Sequence, residues 1–340
     1  MVDCKISNWV KVGTVDVPGR AWNAPMTGVS DLPFRQAAAR LGANYVATEM
    51  IACAQLAEAR PDVVRRAALG EDGGLMVVQL VGHDAHWIAR GARMAKAAGA
   101  HIIDLNFGCP AKEVTGAQSG AALMRDRSLA RNLVAAAVDA VDTPITVKMR
   151  LGWDDADRNA PEIAHDAQAA GAQAVTVHGR TRRQFYSGQA DWRAVREVKR
   201  ELSIPVVVNG DIVDGQSAEM ALTESGADAV MIGRASTGKP WLSTEIQAHL
   251  DGVAWAGPTG GAFWAIVDEH FTAAIDFYGD ALGVRTFRKH LARYVDFALA
   301  HWSADERAAV RGRLCRLETP SEIGLAIGRL WGAPADRLAA

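Results

Sequence analysis

The stretch His101–Pro110, HIIDLNFGCP, decides how this chain is read. Ile102, Ile103 and Leu105 make a short apolar run of the kind that forms a buried strand. The run breaks into Asn106-Phe107-Gly108-Cys109-Pro110, where Gly108 and Pro110 punctuate a turn and leave Cys109 at the lip of a strand end. A thiol at such a tip is placed to meet a substrate. The plainer alternative is a buried cysteine acting as a small hydrophobe.

The same pattern recurs on both sides of that stretch. Short apolar runs at Trp22–Met26, Tyr45–Glu49, Met76–Leu80, Ile102–Asn106, Ile145–Met149, Ala174–His178, Val206–Asn209 and Ala229–Ile232 read as strands. Helical patterns lie between them, at Leu32–Leu41, His86–Ala98, Ser128–Ala140, Pro161–Ala170, Trp192–Leu202 and Ser217–Ser225. Four of these helices run into a Gly-Ala step (Gly42-Ala43, Gly99-Ala100, Gly171-Ala172, Gly226-Ala227), a glycine stop leading straight into the next strand. Strands alternating with helices in this number predict an α/β fold, a (β/α)8 TIM barrel. A doubly wound open sheet is the alternative, but its early glycine-rich turn is not found.

After Pro240-Trp241 the strand signals stop, and Ala254–Gly261 (AWAGPTGG) reads as a linker. From Ala262 to Leu330 the pattern is helical, with Phe263, Phe271, Phe277, Phe287 and Tyr294 on apolar faces. Thr319-Pro320-Ser321-Glu322 is a helix start. The expected organisation is therefore a catalytic barrel over 1–250 and a small helical-bundle domain over 251–340.

Composition narrows the class. Of 340 residues 49% are hydrophobic and 22% charged, as in ordinary globular proteins, and a formal net charge of −2 announces no nucleic-acid partner. Such a partner would need a local basic patch. Cys4, Cys53, Cys109 and Cys315 are too scattered for a zinc site or a disulfide framework, so no metal is expected. The opening MVDCKISNWVKVG carries charges throughout and no apolar run reaches about 18 residues, so neither a signal peptide nor a membrane span is expected. The expected home is the cytoplasm, and the expected state a monomer.

In such a barrel the active site is built at the C-terminal ends of the strands. Those ends carry Pro25-Met26-Thr27, Gln79, Asn106 with Cys109, Lys148 with Arg150, His178 with Arg180, Asn209-Gly210-Asp211, and Gly233-Arg234. Each has a bland account: Lys148 as a solvated strand end, His178 as a hydrogen-bonded core histidine, Asn209-Gly210-Asp211 as a good turn. Jointly they put polar groups on one face of an apolar barrel. Glycine-rich turns after the last two strands make a phosphate cradle, to which Arg234 adds a charge-assisted contact. A phosphate-bearing ligand across the mouth would meet Lys148, Gln79 and the first-strand turn. Gln79 can donate and accept, as the uracil-like edge of a flavin requires, and Lys148 would stabilise an anionic reduced ring. These residues point to FMN; the GxGxxG fingerprint of a resident NAD is absent.

The motifs APMTGVSDLPFR (Ala24–Arg35), LNFGCPAK (Leu105–Lys112), VKMRLGW (Val147–Trp153), VHGRTR (Val177–Arg182), VNGDI (Val208–Ile212), MIGRASTGKPW (Met231–Trp241) and RKHLARY (Arg288–Tyr294) are similar to those of the tRNA-dihydrouridine synthase family. The resemblance is nearest to its bacterial DusB-like branch and runs from about Ala24 to Leu330. The family more often shows APMAG, NMGCP and GRGAxGRPW, where this chain has Thr27, Phe107, Ala235-Ser236 and Lys239. Phe107 would keep its bulk near the flavin, and Ala235 would tighten the phosphate turn if that position needs a positive φ.

The resemblance implies reduction of the C5=C6 bond of specific uridines in the tRNA D-loop, with NADPH or NADH as reductant. Hydride would pass from reduced FMN to C6, and Cys109 would give a proton to C5 as general acid. A thiol in that role should be protonated at neutral pH, so no strongly cationic neighbour is expected beside it. Asn106 would hold the uracil edge or the loop. His178 and Arg180 would sit over the flavin or bind uracil carbonyl and phosphate. Arg150, Lys112 and Arg182 would face substrate or RNA backbone at the mouth. Arg285, Lys289 and Arg293 fall at i, i+4 and i+8 with Arg288 beside them, either a tRNA stripe or a solvated helix face. Two rivals stand beside this reading. One is an FMN barrel acting on a free pyrimidine such as dihydroorotate; the other is a non-catalytic RNA-binding barrel.

Overall fold

The computed structural model describes residues 9–70 and 74–331; Cys4 and the end of the expected helical domain lie outside them. Eight parallel strands form the centre: β1 (Ala21–Asn23), β2 (Tyr45–Ala47), β3 (Leu75–Val81), β4 (Ile102–Phe107), β5 (Ile145–Arg150), β6 (Ala174–His178), β7 (Val206–Asn209) and β8 (Ala229–Ile232). Each hydrogen-bonds to its sequence neighbour from β2 round to β8, and β8 pairs with β1. The order never reverses, which a doubly wound sheet would require. Between β1 and β2 no ladder forms. There Trp22 and Tyr45 stack at 4.4 Å and 9° and close the ring by ring contact instead.

The expected strands are present, with β1 and β2 shorter than their apolar runs. β1 stops before Pro25, which has no N–H for a ladder, and Met26 O turns back to accept Val29 N and Ser30 N. Helices α1 (Leu32–Arg40), α2 (Ala85–Ala97), α3 (Arg127–Ala140), α4 (Ala160–Ala169), α5 (Trp192–Glu201), α6 (Gly215–Ser225) and α7 (Leu242–Leu250) surround the strands. Asp31, Asp84, Asp126, Asp191 and Asp214 cap five of them, each carboxylate accepting a first-turn N–H. The four glycines of the Gly-Ala steps all have positive φ, as helix-stopping residues should.

Strand alternation sorts the side chains. Ile103, Leu105 and Phe107 pack outward against the helices, while Ile102, Asp104 and Asn106 point into the barrel. The lower interior is apolar, with Trp22, Tyr45, Val77, Ile102 and Val207. It is plugged by Val12 and Val17 of a hairpin, Trp9–Val12 with Val15–Pro18, that the sequence reading did not anticipate. The upper interior is polar.

Residues 251–259 carry no regular element, and α8 (Gly260–Tyr278), α9 (Asp280–Ala298), α10 (Ala304–Leu314) and α11 (Pro320–Trp331) follow. Thr319 and Glu322 form the expected reciprocal cap on α11. Phe263, Phe271, Phe287, Tyr294 and Trp331 build a second core, while Phe277 is only half-buried and sits edge-on to Tyr278. Trp241, from the loop after β8, belongs to this second core and ties it to the barrel. Tyr278 Oη also donates to Asp31 at 3.1 Å, a joint whose burial raises the Asp31 carboxyl to about 6. Gly238 sets the approach. It has φ +70°, and a Cβ there would lie 2.5 Å from that of Arg293, so only glycine lets the β8 loop reach α9. Among the described residues no helix is long and apolar enough to cross a membrane.

Candidate active site

A cavity of about 880 Å³ opens where the strands end, walled on one side by the barrel loops and on the other by Arg293, Asp296 and Phe297 of α9. Strand register alone brings its floor together. Gln79 pairs with Asp104, Asn106 with Lys148, and His178 lies between Arg150 on β5 and Asn209 on β7. Asn106 Nδ2 donates to Gln79 Oε1 at 2.8 Å, and Gln79 Nε2 donates to Asp104 Oδ2 at 2.7 Å. Lys148 Nζ donates to Asn209 Oδ1 at 3.1 Å, and Asn209 Nδ2 is fixed by Met231 O at 2.7 Å.

Burial sets the charges here. It lowers Lys148 to about 8, with Arg150 adding to the effect and Asp104 opposing it. His178 is driven well down by burial and then by Lys148, Arg150, Arg180 and Arg234, so its imidazole is neutral. Asp104 is pushed up by burial, against the hydrogen bonds of Gln79 and Thr146 and the charge of Lys148.

Cys109 lines the cavity, half-buried, so it is not a sealed core cysteine. Its loop is held from two sides. Asn106 Oδ1 accepts Gly108 N at 3.1 Å and Cys109 N at 2.9 Å. Arg150 donates to Gly108 O at 2.8 Å and to the Thr181 and Phe185 carbonyls, both at 2.9 Å. The expectation of no cationic neighbour is corrected: Arg150 and Lys148 both lower the Cys109 thiol. Burial outweighs them and the net shift is upward, so the thiol keeps its proton at neutral pH.

Three expected ligand-facing groups make hydrogen bonds within the protein, although Arg150 and Asp211 also line the cavity. Arg150 is the first. Arg180 is 2% exposed and donates to Asp211 at 2.6 Å and to the Ser187 and Gly188 carbonyls at 3.1 and 2.7 Å. Asp211 accepts Arg180 and Ala190 N, at 2.8 Å, and so braces the loop after β6 while still bordering the cavity. Pro25, Met26, Thr27, Gly210, Gly233 and Arg234 do line the cavity. A Cβ on Gly233 would meet only Met26 Sδ at 3.9 Å, so the backbone there borders open space that a ligand can approach. Ala235 sits in a 3-10 turn, Arg234–Ser236, without positive φ, so the substitution leaves the turn unstrained. Phe107 is 1% exposed among helix side chains, not beside the cavity, because it is one residue out of phase with Asn106.

The outer cations divide. Lys112 and Arg285 are exposed, and Arg293 is exposed beside Asp296 at 3.6 Å. Arg182 lies over the Trp153 ring at 4.8 Å and reaches Thr115 Oγ1 at 3.3 Å. Lys289 is turned into the joint near Asp31 and Glu49, and Arg288 donates to Leu317 O at 3.0 Å. An i, i+4, i+8 series spans roughly 80° of a helix with 3.6 residues per turn, so the three share a face, and it is the pull of Asp31 and Glu49 on Lys289 that divides them. The sequence reading missed Asp104 and the rim pair Phe185 and Tyr186. Tyr186 lies under Arg234 at 4.6 Å and Arg150 at 5.6 Å, and Phe185 holds φ +54°. Two adjacent aromatics in the turn-like QFYSG were the available signal.

Residues 22–314 match the family model described as dihydrouridine synthase (Dus). A probable tRNA-dihydrouridine synthase of Rhodobacter capsulatus is 49% identical over 284 residues, spanning 83% of this chain and 88% of that protein. The tRNA-dihydrouridine synthase B of Pseudomonas putida is 41% identical over 288 residues, spanning 84% and 85%. Among solved structures, histamine dehydrogenase from Rhizobium sp. 4-9 shares the fold with a TM-score of 0.56 at 15% identity, over 78% of this chain and 50% of that one. A 2-naphthoyl-CoA reductase does so at 0.58 and 12%, over 73% and 52%. With nearly all of the barrel and most of the helical tail inside the matched residues, the chain belongs to the dihydrouridine synthase family.

Proposed function

We propose that this chain is a flavin-dependent tRNA-dihydrouridine synthase, reducing the C5=C6 bond of uridine in the tRNA D-loop with FMN bound and NADPH or NADH as reductant. The observation that carries the reading is the Cys109 thiol. It stands at the cavity lip, kept protonated by burial, on the loop that follows β4, the strand whose Asn106 pairs with Lys148. The residues present fit a flavin. Gly233 leaves backbone open to the cavity, Arg234 stands at the rim for a phosphate, and Gln79 and Lys148 line the floor where a polar ring edge would lie. When bound, a reduced flavin would supply the hydride that C6 of the uracil receives.

Cys109 delivers the proton to C5 from the loop, as general acid. Lys148, steadied by Asn209, is cationic at neutral pH and balances negative charge at the ring edge. Pro25, Met26, Thr27, Gly210 and neutral His178 complete the cofactor wall, and Asn106 with Arg150 holds the loop that carries the acid. Lys112, Arg182, Arg285 and Arg293 offer charge to phosphates, which a chain of net charge −2 must supply locally. The target base leaves its stack to enter the cavity. In this reading the chain acts as a cytoplasmic monomer without a metal, residues 1–250 holding the flavin and 251–340 gripping tRNA. The α9 wall favours tRNA over a free pyrimidine, because a small substrate needs no helical domain at the mouth.

The test is dihydrouridine mapping of tRNA incubated with purified protein and NADPH, beside Cys109→Ala. The variant is expected to retain flavin and to lose about a hundredfold or more of the rate, the scale of general acid catalysis. Oxidation of NADPH with no dihydrouridine formed by the wild type would sink the tRNA reading and bring the free-pyrimidine enzyme forward.

A further inference from the structure

From the cavity floor inward the hydrogen bonds run in one direction only. Backbone N–H groups donate and never accept, so the Asn106 atom that receives Gly108 N and Cys109 N is its oxygen. Asn106 Nδ2 therefore points away from the loop and donates to Gln79 Oε1. That turns Gln79 so that its Nε2 donates onward to Asp104 Oδ2, while Thr146 Oγ1 donates to Asp104 Oδ1 at 2.7 Å. All four side chains are largely buried, so a reversed amide would set oxygen against oxygen at one joint.

We infer that Asp104 is a positioning residue for the reaction: as the acceptor that ends this row, it holds Gln79 and Asn106 in one orientation and thereby fixes the Cys109 loop. Asp104 does not line the cavity and acts only through its neighbours. The inference rests on the reading of Cys109 as the acid and assigns what keeps that acid in place. A carboxylate has no N–H, so the row cannot turn over against it. An asparagine at 104 can still present oxygen to Gln79 if the Thr146 hydroxyl rotates to accept.

The test uses the flavin-loaded protein and follows alkylation of Cys109 by iodoacetamide, resolved peptide by peptide, together with the kcat and KM of dihydrouridine formation. Asp104→Ala is expected to speed alkylation about tenfold, the scale of one lost buried hydrogen bond, and to lower kcat while KM for tRNA holds. Asp104→Asn, which keeps an acceptor, is expected to stay within about threefold of wild type. A second pair covers the case in which Asp104→Ala does not fold. Asn106→Asp places acceptors at both ends of Gln79 and is expected to loosen the loop. Adding Asp104→Asn completes the row in the opposite direction and should bring alkylation back to within about twofold of wild type. Alkylation of folded Asp104→Ala at the wild-type rate, or a double variant no closer to wild type than Asn106→Asp, overturns the inference. Absence of dihydrouridine with wild type, alongside the expected alkylation pattern, overturns the synthase reading and leaves the row standing.

Discussion

At the scale of single residues, Lys148 shows how the site trades stability for charge. Burial brings its ammonium from 10.5 to about 8. Between those values the unfolded chain binds more protons than the folded one, so this group makes stability rise with pH there; below about 8 its charge is carried at full cost. Lys148→Met is therefore expected to stabilise the flavin-free protein at pH 7 by on the order of 1 kcal/mol, with the gain gone by about pH 10.5. Dihydrouridine formation should fall about a hundredfold in the same variant. Denaturant titrations at several pH values and single-turnover assays check the two halves. A Lys148→Met protein less stable than wild type at pH 7 would show that the ammonium is better solvated than its burial indicates. What the sequence revealed at this scale was phase. Gln79, Asn106, Lys148, His178 and Asn209 could be placed at the mouth because each lies at or near the C-terminal end of an apolar run in a barrel pattern. What it hid was destination. Arg150 and Arg180 look the same on paper whether they meet a phosphate or a backbone carbonyl, and only the buried loops around them decide.

Among the elements, Arg150 at the end of β5 binds carbonyls of three separate loop positions, Gly108, Thr181 and Phe185. A planar guanidinium can serve them together; an ammonium on a flexible stem cannot. Arg150→Lys is expected to lower the melting temperature by several degrees and the turnover by about tenfold, measured by calorimetry and by the dihydrouridine assay. Unchanged turnover would mean that the Cys109 loop stands without this brace. The barrel's own elements were legible because helices and strands alternate with a glycine stop between them. The hairpin at Trp9–Pro18 was not, since two short strands whose apolar face plugs a distant barrel carry no local sign of that partner. The tail cations were not separable by spacing: Arg288 is drawn to Leu317 O and Lys289 toward Asp31 and Glu49, partners far away in sequence, while Arg285 and Arg293 stay exposed.

For the molecule as a whole, the cavity belongs to both the barrel and the tail, and the tail cations divide accordingly. Arg293→Ala, at the mouth, is expected to reduce the slope of log affinity for tRNA against log salt by about one and to leave the melting temperature alone. Arg288→Ala should do the reverse, lowering the melting temperature through loss of its bond to Leu317 O and leaving the salt slope unchanged. Binding titrations over a salt series with parallel melts separate the two; equal slopes for wild type and Arg293→Ala would move the RNA path off this wall. The seam between β1 and β2 carries a different consequence. A ring completed by one aromatic stack instead of a ladder has a latch, and the segments beyond it on either side, Pro25–Thr27 and Met50, are cavity wall. Local opening is cheapest where backbone bonds are fewest. A ligand lying across both segments holds the latch shut. In deuterium exchange, loading the cavity should therefore slow uptake in Tyr45–Ala47 far more than in the fully paired centre of β5, so that the barrel keeps its own record of occupancy.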